Sequence, residues 1–98
     1  MDFKIGKVCF NEKKVVILAE AGVNHLGKIA YAEKLIKEAS RAGADIIKFQ
    51  TYKAEKLTTK NASRFWSWKG EEKKRGSQFD SYSQLDSFGY KDYKILKK

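Results

Sequence analysis

The sequence contains no proline, one cysteine and one histidine. With Cys9 alone, an internal disulfide and a multi-cysteine zinc site are excluded, and with His25 as the only imidazole no transition-metal cage is expected from this chain by itself. That cysteine usage fits a reducing compartment, so a cytoplasmic location is expected. Long apolar runs are also missing. The longest uninterrupted one, Val15 to Ala19, falls far short of the roughly 18 residues that span a bilayer. No basic-then-apolar leader opens the chain, so neither membrane insertion nor secretion is expected. No internal repeat is found. At 98 residues, 42% hydrophobic and 34% charged, the chain has the composition of one ordinary globular domain at most.

Acidic residues are scarce against basic ones, 12 against 21, for a net charge of +9, and only Arg41, Arg64 and Arg75 among the cations are arginines. The excess leans toward the second half: residues 1–50 hold nine basic and six acidic side chains, residues 51–98 twelve and six. Such an imbalance permits an anionic partner, a nucleic acid or a phosphorylated metabolite. A lysine-rich solvated surface is the simpler explanation, because scattered lysines need no ligand.

The order of residues is more telling. Phe3-Lys4-Ile5 and Val8-Cys9-Phe10 alternate on either side of Gly6-Lys7, the pattern of a hairpin whose two-residue turn starts with glycine. Cys9 in that run is expected to be a small core side chain. Val15-Val16-Ile17-Leu18-Ala19 reads as a strand buried on both faces, as in parallel sheets, and ends in Glu20. After the loop from Ala21 to Gly27, Ala32, Leu35, Ile36, Ala39 and Ala42 recur at helical spacing. Glu33 to Lys37 and Lys34 to Glu38 are spaced for ion pairs on the opposite face, and Gly43 supplies a left-handed stop. Asp45 to Gln50 reads as a second strand, so residues 15 to 50 are predicted to form a right-handed parallel strand, helix, strand unit.

From Tyr52 to Gly89 no sustained period is found, and a long loop, functional or disordered, is expected. Tyr90, Tyr93 and Leu96 then begin a further helical stripe. Two parallel strands with little more than one helix cannot cover both faces of a sheet or pair both edges. The expected fold class is therefore α/β: a hairpin plus about two strand-helix units, the front end of a larger domain.

Chemistry in such folds gathers at the carboxyl ends of the strands. Alternation places Val16, Leu18 and Glu20 on one side of the first strand, and Ile46, Lys48 and Gln50 on one side of the second. If those sides face a common interior, an acid, a cation and an amide converge there, a set that can bind an anion, hold a water and orient a polar group. The alternative is a buried Glu20 to Lys48 ion pair. Desolvation makes such pairs weak stabilisers, which favours the functional reading and implies a desolvated Lys48 ammonium. Asn24 and His25 lie in the loop that leads into the helix amino terminus, where free N–H groups suit an anion. His25 is either a proton carrier or ligand there, or a hydrogen-bonded structural residue. Asn61-Ala62-Ser63 matches a glycosylation sequon, which carries no meaning without secretion.

Ile17-Leu18-Ala19-Glu20-Ala21-Gly22-Val23-Asn24-His25-Leu26-Gly27, followed by Ala42-Gly43-Ala44-Asp45-Ile46-Ile47-Lys48-Phe49-Gln50-Thr51-Tyr52-Lys53-Ala54-Glu55, closely resembles the amino-terminal region of sialic acid synthases, and Phe3-Lys4-Ile5-Gly6 resembles their opening hairpin. The likeness covers essentially the whole chain. It implies that residues 1–98 are the amino-terminal part of a (β/α)8 TIM barrel, followed in that family by an antifreeze-like domain that reaches across a homodimer.

The resemblance also implies a reaction. Phosphoenolpyruvate condenses with N-acetylmannosamine or a related amino sugar, with a divalent metal, manganese or magnesium, polarising the open-chain aldehyde. The enol carbon attacks, water adds to the cationic centre, and phosphate leaves. By motif match Lys48 grips phosphoenolpyruvate, Glu20 orients substrate or handles a proton, Gln50 hydrogen-bonds substrate, and Asn24 and His25 shape the first loop. The family's metal ligands are histidines on later strands, so no metal ligand is assigned among these residues. Six of eight units are missing against about 250 residues for an ordinary barrel, so the chain alone is expected to be inactive.

Two other classes remain open. Lys60 to Arg75 interleaves Arg64, Lys69, Lys73, Lys74 and Arg75 with Phe65, Trp66 and Trp68, the ingredients of a nucleic-acid or polyanion binder, although no named binding motif accompanies them. A non-catalytic remnant that folds with a partner is the other.

Overall fold

A computed structural model describes residues 2–66, 69 and 76–98 of the chain. It falls into two compact units, Met1–Gln50 and Thr51–Lys98.

The first unit begins with the expected hairpin. Strand β1 (Phe3–Ile5) pairs antiparallel with β2 (Val8–Phe10), Phe3 opposite Phe10 and Ile5 opposite Val8. Gly6 carries the turn at φ +59, a backbone angle that costs a residue without Cβ almost nothing. The Phe3 and Phe10 rings stack at 4.4 Å. Cys9 is only half-buried and its Sγ lies 3.8 Å from Asn11 Nδ2, so it is not the core side chain expected. A two-stranded hairpin has no second layer to bury it.

Strand β3 (Leu18–Gly22) pairs parallel with β4 (Ile46–Phe49), and helix α1 (Ile29–Arg41) joins them. The predicted parallel unit is therefore present. In register, Leu18 faces Ile46 and Glu20 faces Lys48, and the spacing then slips so that Gly22 faces Phe49. Strand β3 starts three residues later than the apolar run suggested. Val15 is 79% exposed, and Ile17 and Leu18 are exposed too, so the run is not buried on both faces; two strands cover only one.

Helix α1 keeps its predicted stripe: Ala32 is fully buried and Leu35, Ile36 and Ala39 are half-buried, while Ala42 is the exposed carboxyl cap. Gly43 sits at φ +90, the left-handed stop. The ion pair formed on the polar face is Glu38 to Arg41 at 3.2 Å, in place of the two four-residue pairs expected. Exposed side chains gain little from either arrangement.

Asp45 closes the unit at the other end of the strands. Its carboxylate accepts the Ile17 backbone N–H at 3.0 Å and pairs with Lys14 Nζ at 2.8 Å. The Ile17 N–H bond, then Lys14, holds the carboxyl below its ordinary value near 3.8. A depressed folded-state pKa contributes stability above the unfolded value, and that contribution is lost as pH falls through the folded one. Asp45→Asn should therefore lower the melting temperature more at pH 7 than at pH 3. Thermal melts at the two pH values check this, and an equal loss at both would remove the charge from the account.

The second unit departs from the expected loop in holding two short helices there, while the helix expected from Tyr90 onward is present. It contains α2 (Ala54–Leu57), α3 (Gln78–Ser83) and α4 (Tyr90–Leu96). Helix α3 starts from a capping box: Ser77 Oγ accepts the Asp80 N–H, and Asp80 accepts the Ser77 N–H. Asp92 accepts the Gly89 N–H at 2.8 Å at the start of α4. Asp86 accepts the Ala54 N–H at 3.0 Å at the start of α2. Ala54, Ser81, Leu85 and Phe88 form the small core. Tyr52 and Tyr82 meet edge to face, and burial, with Asp86 nearby, pushes the Tyr52 phenol up to about 12. In α4, Tyr93 and Leu96 are half-buried but Tyr90, the first residue of the stripe, is exposed. No helix among the described residues is long and apolar enough to cross a membrane.

Candidate functional site

The register of β3 and β4 decides what meets at their carboxyl ends. Because Glu20 and Lys48 are direct neighbours across the ladder and point to the same side, Lys48 Nζ reaches Glu20 Oε2 at 2.7 Å. The predicted encounter is present, but the predicted desolvation is not. Lys48 and Glu20 side chains keep 54% and 47% of their exposure. The hydrogen bond from Lys48 holds the Glu20 carboxyl below its ordinary value near 4.5, opposed by partial desolvation and helped by the lysine's charge and the Gly22 N–H. At neutral pH the site is an ionised carboxylate beside a lysine at an open strand end.

Gln50 joins them. Its backbone N–H donates to the Gly22 carbonyl at 3.0 Å. A Cβ placed on Gly22 would lie 3.5 Å from Glu20 Oε1 and 3.7 Å from Gln50 Oε1. Both oxygens thus lie close to the Gly22 backbone, while Lys48 binds the other carboxylate oxygen, Oε2. Gly22, at φ +57, is a part of the site that sequence reasoning did not single out. The available signal was a glycine two residues after the strand's only charge.

Asn24 and His25 are placed differently. The loop folds through successive turns, with Asn24 N–H to Ala21 C=O, Leu26 N–H to Val23 C=O and Lys28 N–H to His25 C=O, each at 3.0 to 3.1 Å. Leu26 and Gly27 take positive φ, 53° and 71°. For leucine that conformation is strained, so the fold holds the loop against a local preference.

His25 is fully buried. Its Nδ1 accepts the Gly27 N–H at 2.9 Å, which leaves the proton of the neutral ring on Nε2. Burial lowers its pKa, so the ring is neutral at pH 7. It lies 5.9 Å from the Phe49 ring, and Phe49 alternates with Lys48, so the imidazole packs on the opposite side of β4 from the ion pair. Asn24 is exposed and lines a groove of about 360 Å³ with Tyr31, Lys34, Leu35 and Glu38. Glu20, Lys48 and Gln50 are therefore brought together; Asn24 and His25 are not among them.

No group of three His, Cys, Asp or Glu side chains able to hold an ion comes together among the described residues. The basic aromatic segment is only partly described: Trp68, Lys73, Lys74 and Arg75 lie outside the described residues. Of the rest, Trp66 donates its Nε1–H to the buried Ser81 hydroxyl at 3.2 Å and packs against Tyr82, which removes it as an open stacking platform. Phe65 remains exposed against its edge.

Comparison with known proteins adds identity. Over 70 residues, 71% of this chain, 37% are identical to an N,N'-diacetyllegionaminic acid synthase of Legionella pneumophila. Over 81 residues, 74% of this chain, 37% are identical to the N-acetylneuraminate-9-phosphate synthase of Mus musculus. The crystal structure of an N-acetylneuraminic acid (sialic acid) synthetase from Leptospira borgpetersenii, in complex with citrate, matches 99% of the chain with a TM-score of 0.69 and 31% identity. The chain spans 20% and 23% of the two relatives and 29% of the solved protein. Residues 35–98 match the NeuB family directly, and with these likenesses to sialic and legionaminic acid synthases the chain belongs to that family.

Proposed function

We propose that this chain is the amino-terminal part of a (β/α)8 barrel synthase that condenses phosphoenolpyruvate with N-acetylmannosamine or a related amino sugar, in the biosynthesis of sialic-type sugar acids. The observation that carries the proposal is the 2.7 Å Glu20–Lys48 pair at the carboxyl ends of two parallel strands, with Gln50 beside it. The half-exposed Glu20–Lys48 pair and the single-partner strands fit a sheet that continues into a larger barrel.

In this reading Lys48 binds the anionic phosphoenolpyruvate. Glu20, ionised at neutral pH, is the proton acceptor or orienting group, and Gln50 holds a polar substrate atom by hydrogen bonds. The carbon–carbon bond forms between the enol methylene and the sugar aldehyde, one water is consumed, and phosphate is released. A divalent metal such as manganese or magnesium belongs to this proposal for the complete enzyme. The described residues do not supply its ligands, so the chemistry assigned to them is anion binding, orientation and proton handling. Homodimerisation and a cytoplasmic setting are part of the same proposal.

The test is phosphate release from phosphoenolpyruvate with N-acetylmannosamine and manganese. The complete synthase is expected to turn over. The 98-residue chain, spanning under a third of the solved relative, is expected to give no detectable product. Metal-dependent turnover by the isolated chain would sink the division of labour proposed.

A further inference from the structure

Strand β3 breaks its register at the site. Glu20 pairs with Lys48, yet the next ladder partner of Phe49 is Gly22, so Ala21 is an extra residue and the strand bulges between the acid and the glycine. Bulges re-aim the side chains beside them, and they require a residue that tolerates the local backbone angle. Gly22 adopts φ +57, while its carbonyl accepts the Gln50 N–H at 3.0 Å and so ties β4 to the bulge one residue beyond the regular ladder. Ala21 turns inward and is buried. The missing side chain matters as well, because the position of a Cβ is bordered by Glu20 Oε1 at 3.5 Å and Gln50 Oε1 at 3.7 Å.

We propose that Gly22 is a positioning residue of this site: its bulge holds the Glu20 carboxylate and the Gln50 carboxamide around one shared space, where a polar ligand atom can meet both. The inference rests on the reading that Glu20, Lys48 and Gln50 bind substrate. Glycine does this through the backbone. Its carbonyl holds the Gln50 N–H, while the bulge it permits sets the strand end from which Glu20 projects toward Lys48. An alanine here meets only ordinary contacts, but the angle is unfavourable for it, and relaxing the angle straightens the bulge. Asparagine tolerates the left-handed region better than other non-glycine residues and should retain the bulge.

The experiment uses the complete synthase with carbon-13 in its glutamate carboxyls, the Glu20 signal being assigned by its loss in Glu20→Gln. Glu20 is titrated in the unchanged chain, in Gly22→Ala, in Gly22→Asn and in Gly43→Ala. The last is a strain control, at φ +90 with nothing within 4 Å of its Cβ. Binding of phosphoenolpyruvate is followed on the same samples. Gly22→Ala is expected to move the Glu20 midpoint up toward its ordinary value and to weaken binding by about tenfold, the effect of one misaligned polar contact. Gly22→Asn should restore most of the midpoint, and Gly43→Ala should lower only the melting temperature. If Gly22→Ala behaves like Gly43→Ala, with the Glu20 midpoint unmoved, the positioning role is wrong. If phosphoenolpyruvate perturbs neither Lys48 nor Glu20 in the unchanged chain, the substrate reading fails instead, while the Glu20 titration still decides what Gly22 does.

Discussion

Replacing Lys48 with methionine in the complete synthase is expected to weaken phosphoenolpyruvate binding by about 30-fold or more, the effect of truncating one partner of a charge contact that closes away from water. Methionine keeps most of the stem's volume and apolar contact. The fold should hardly notice, because the 2.7 Å pair with Glu20 is half-exposed and such pairs contribute little to stability. Two effects add in the loss of affinity. The ammonium that attracts the anion disappears, and Glu20, relieved of the hydrogen bond that lowers its pKa, is left as an uncompensated carboxylate facing an anionic ligand. Its titration should move up toward 4.5, yet at neutral pH it remains charged and repels. Adding Glu20→Gln to Lys48→Met should therefore recover part of the lost affinity, an interaction that a double-mutant cycle reads directly. Unchanged affinity together with a clear drop in melting temperature would make Lys48 a structural counter-ion and nothing more.

The parallel unit was legible because its signals are local. Ala32, Leu35, Ile36 and Ala39 repeat at helical spacing, Gly43 supplies the one conformation that ends the helix there, and alternation alone placed Glu20 and Lys48 on one side. Where the strand began was not legible. Val15 to Ala19 is apolar enough for a doubly covered strand, but the ladder runs from Leu18 to Gly22, because the Asp45 carboxylate and the β4 backbone fix the register from Ile17 onward. A contact between residues 28 apart leaves no periodic trace. The same holds for the bulge at Gly22, since a register slip belongs to two strands at once and neither shows it alone.

Most of the second unit, α2 and α3, was unread for another reason. Helices of four and six residues are too short to display a stripe, and they are specified by their ends, whereas the seven-residue α4 did show one in Tyr90, Tyr93 and Leu96. Ser77 with Asp80 three residues on is a capping box that the sequence did carry. Asp86 shows the limit of that approach. It receives the Ala54 N–H across 32 residues, so it acts as a cap that no local pattern announces. At the site itself, chemistry could be read where it depends on one strand's alternation. It could not be read where it depends on burial: Lys48 looked desolvated from its apolar neighbours, yet its side chain is half-exposed.

His25 gives the second large effect, and it should appear in stability rather than in substrate binding. The ring is fully buried, Nδ1 accepts the Gly27 N–H, and the neighbouring Leu26 sits at a strained φ of 53° that the loop must pay to keep. His25→Ala opens a cavity and leaves the Gly27 N–H without its acceptor, which should cost about 2 to 4 kcal/mol. His25→Asn should cost about half as much, because an asparagine oxygen can accept the N–H two residues on, although it leaves part of the space empty. The pH dependence has a definite sign. Burial lowers the folded-state pKa below 6.5, so the unfolded chain binds the proton more readily and stability must fall as pH drops below that value. Both variants should lose this slope along with the imidazole. Chemical denaturation at pH 5.5 and 7.5, run beside phosphoenolpyruvate titrations on the same proteins, separates the roles. A residue facing substrate would lose phosphoenolpyruvate affinity with its stability intact, whereas the buried position on the Phe49 side of β4 predicts the reverse.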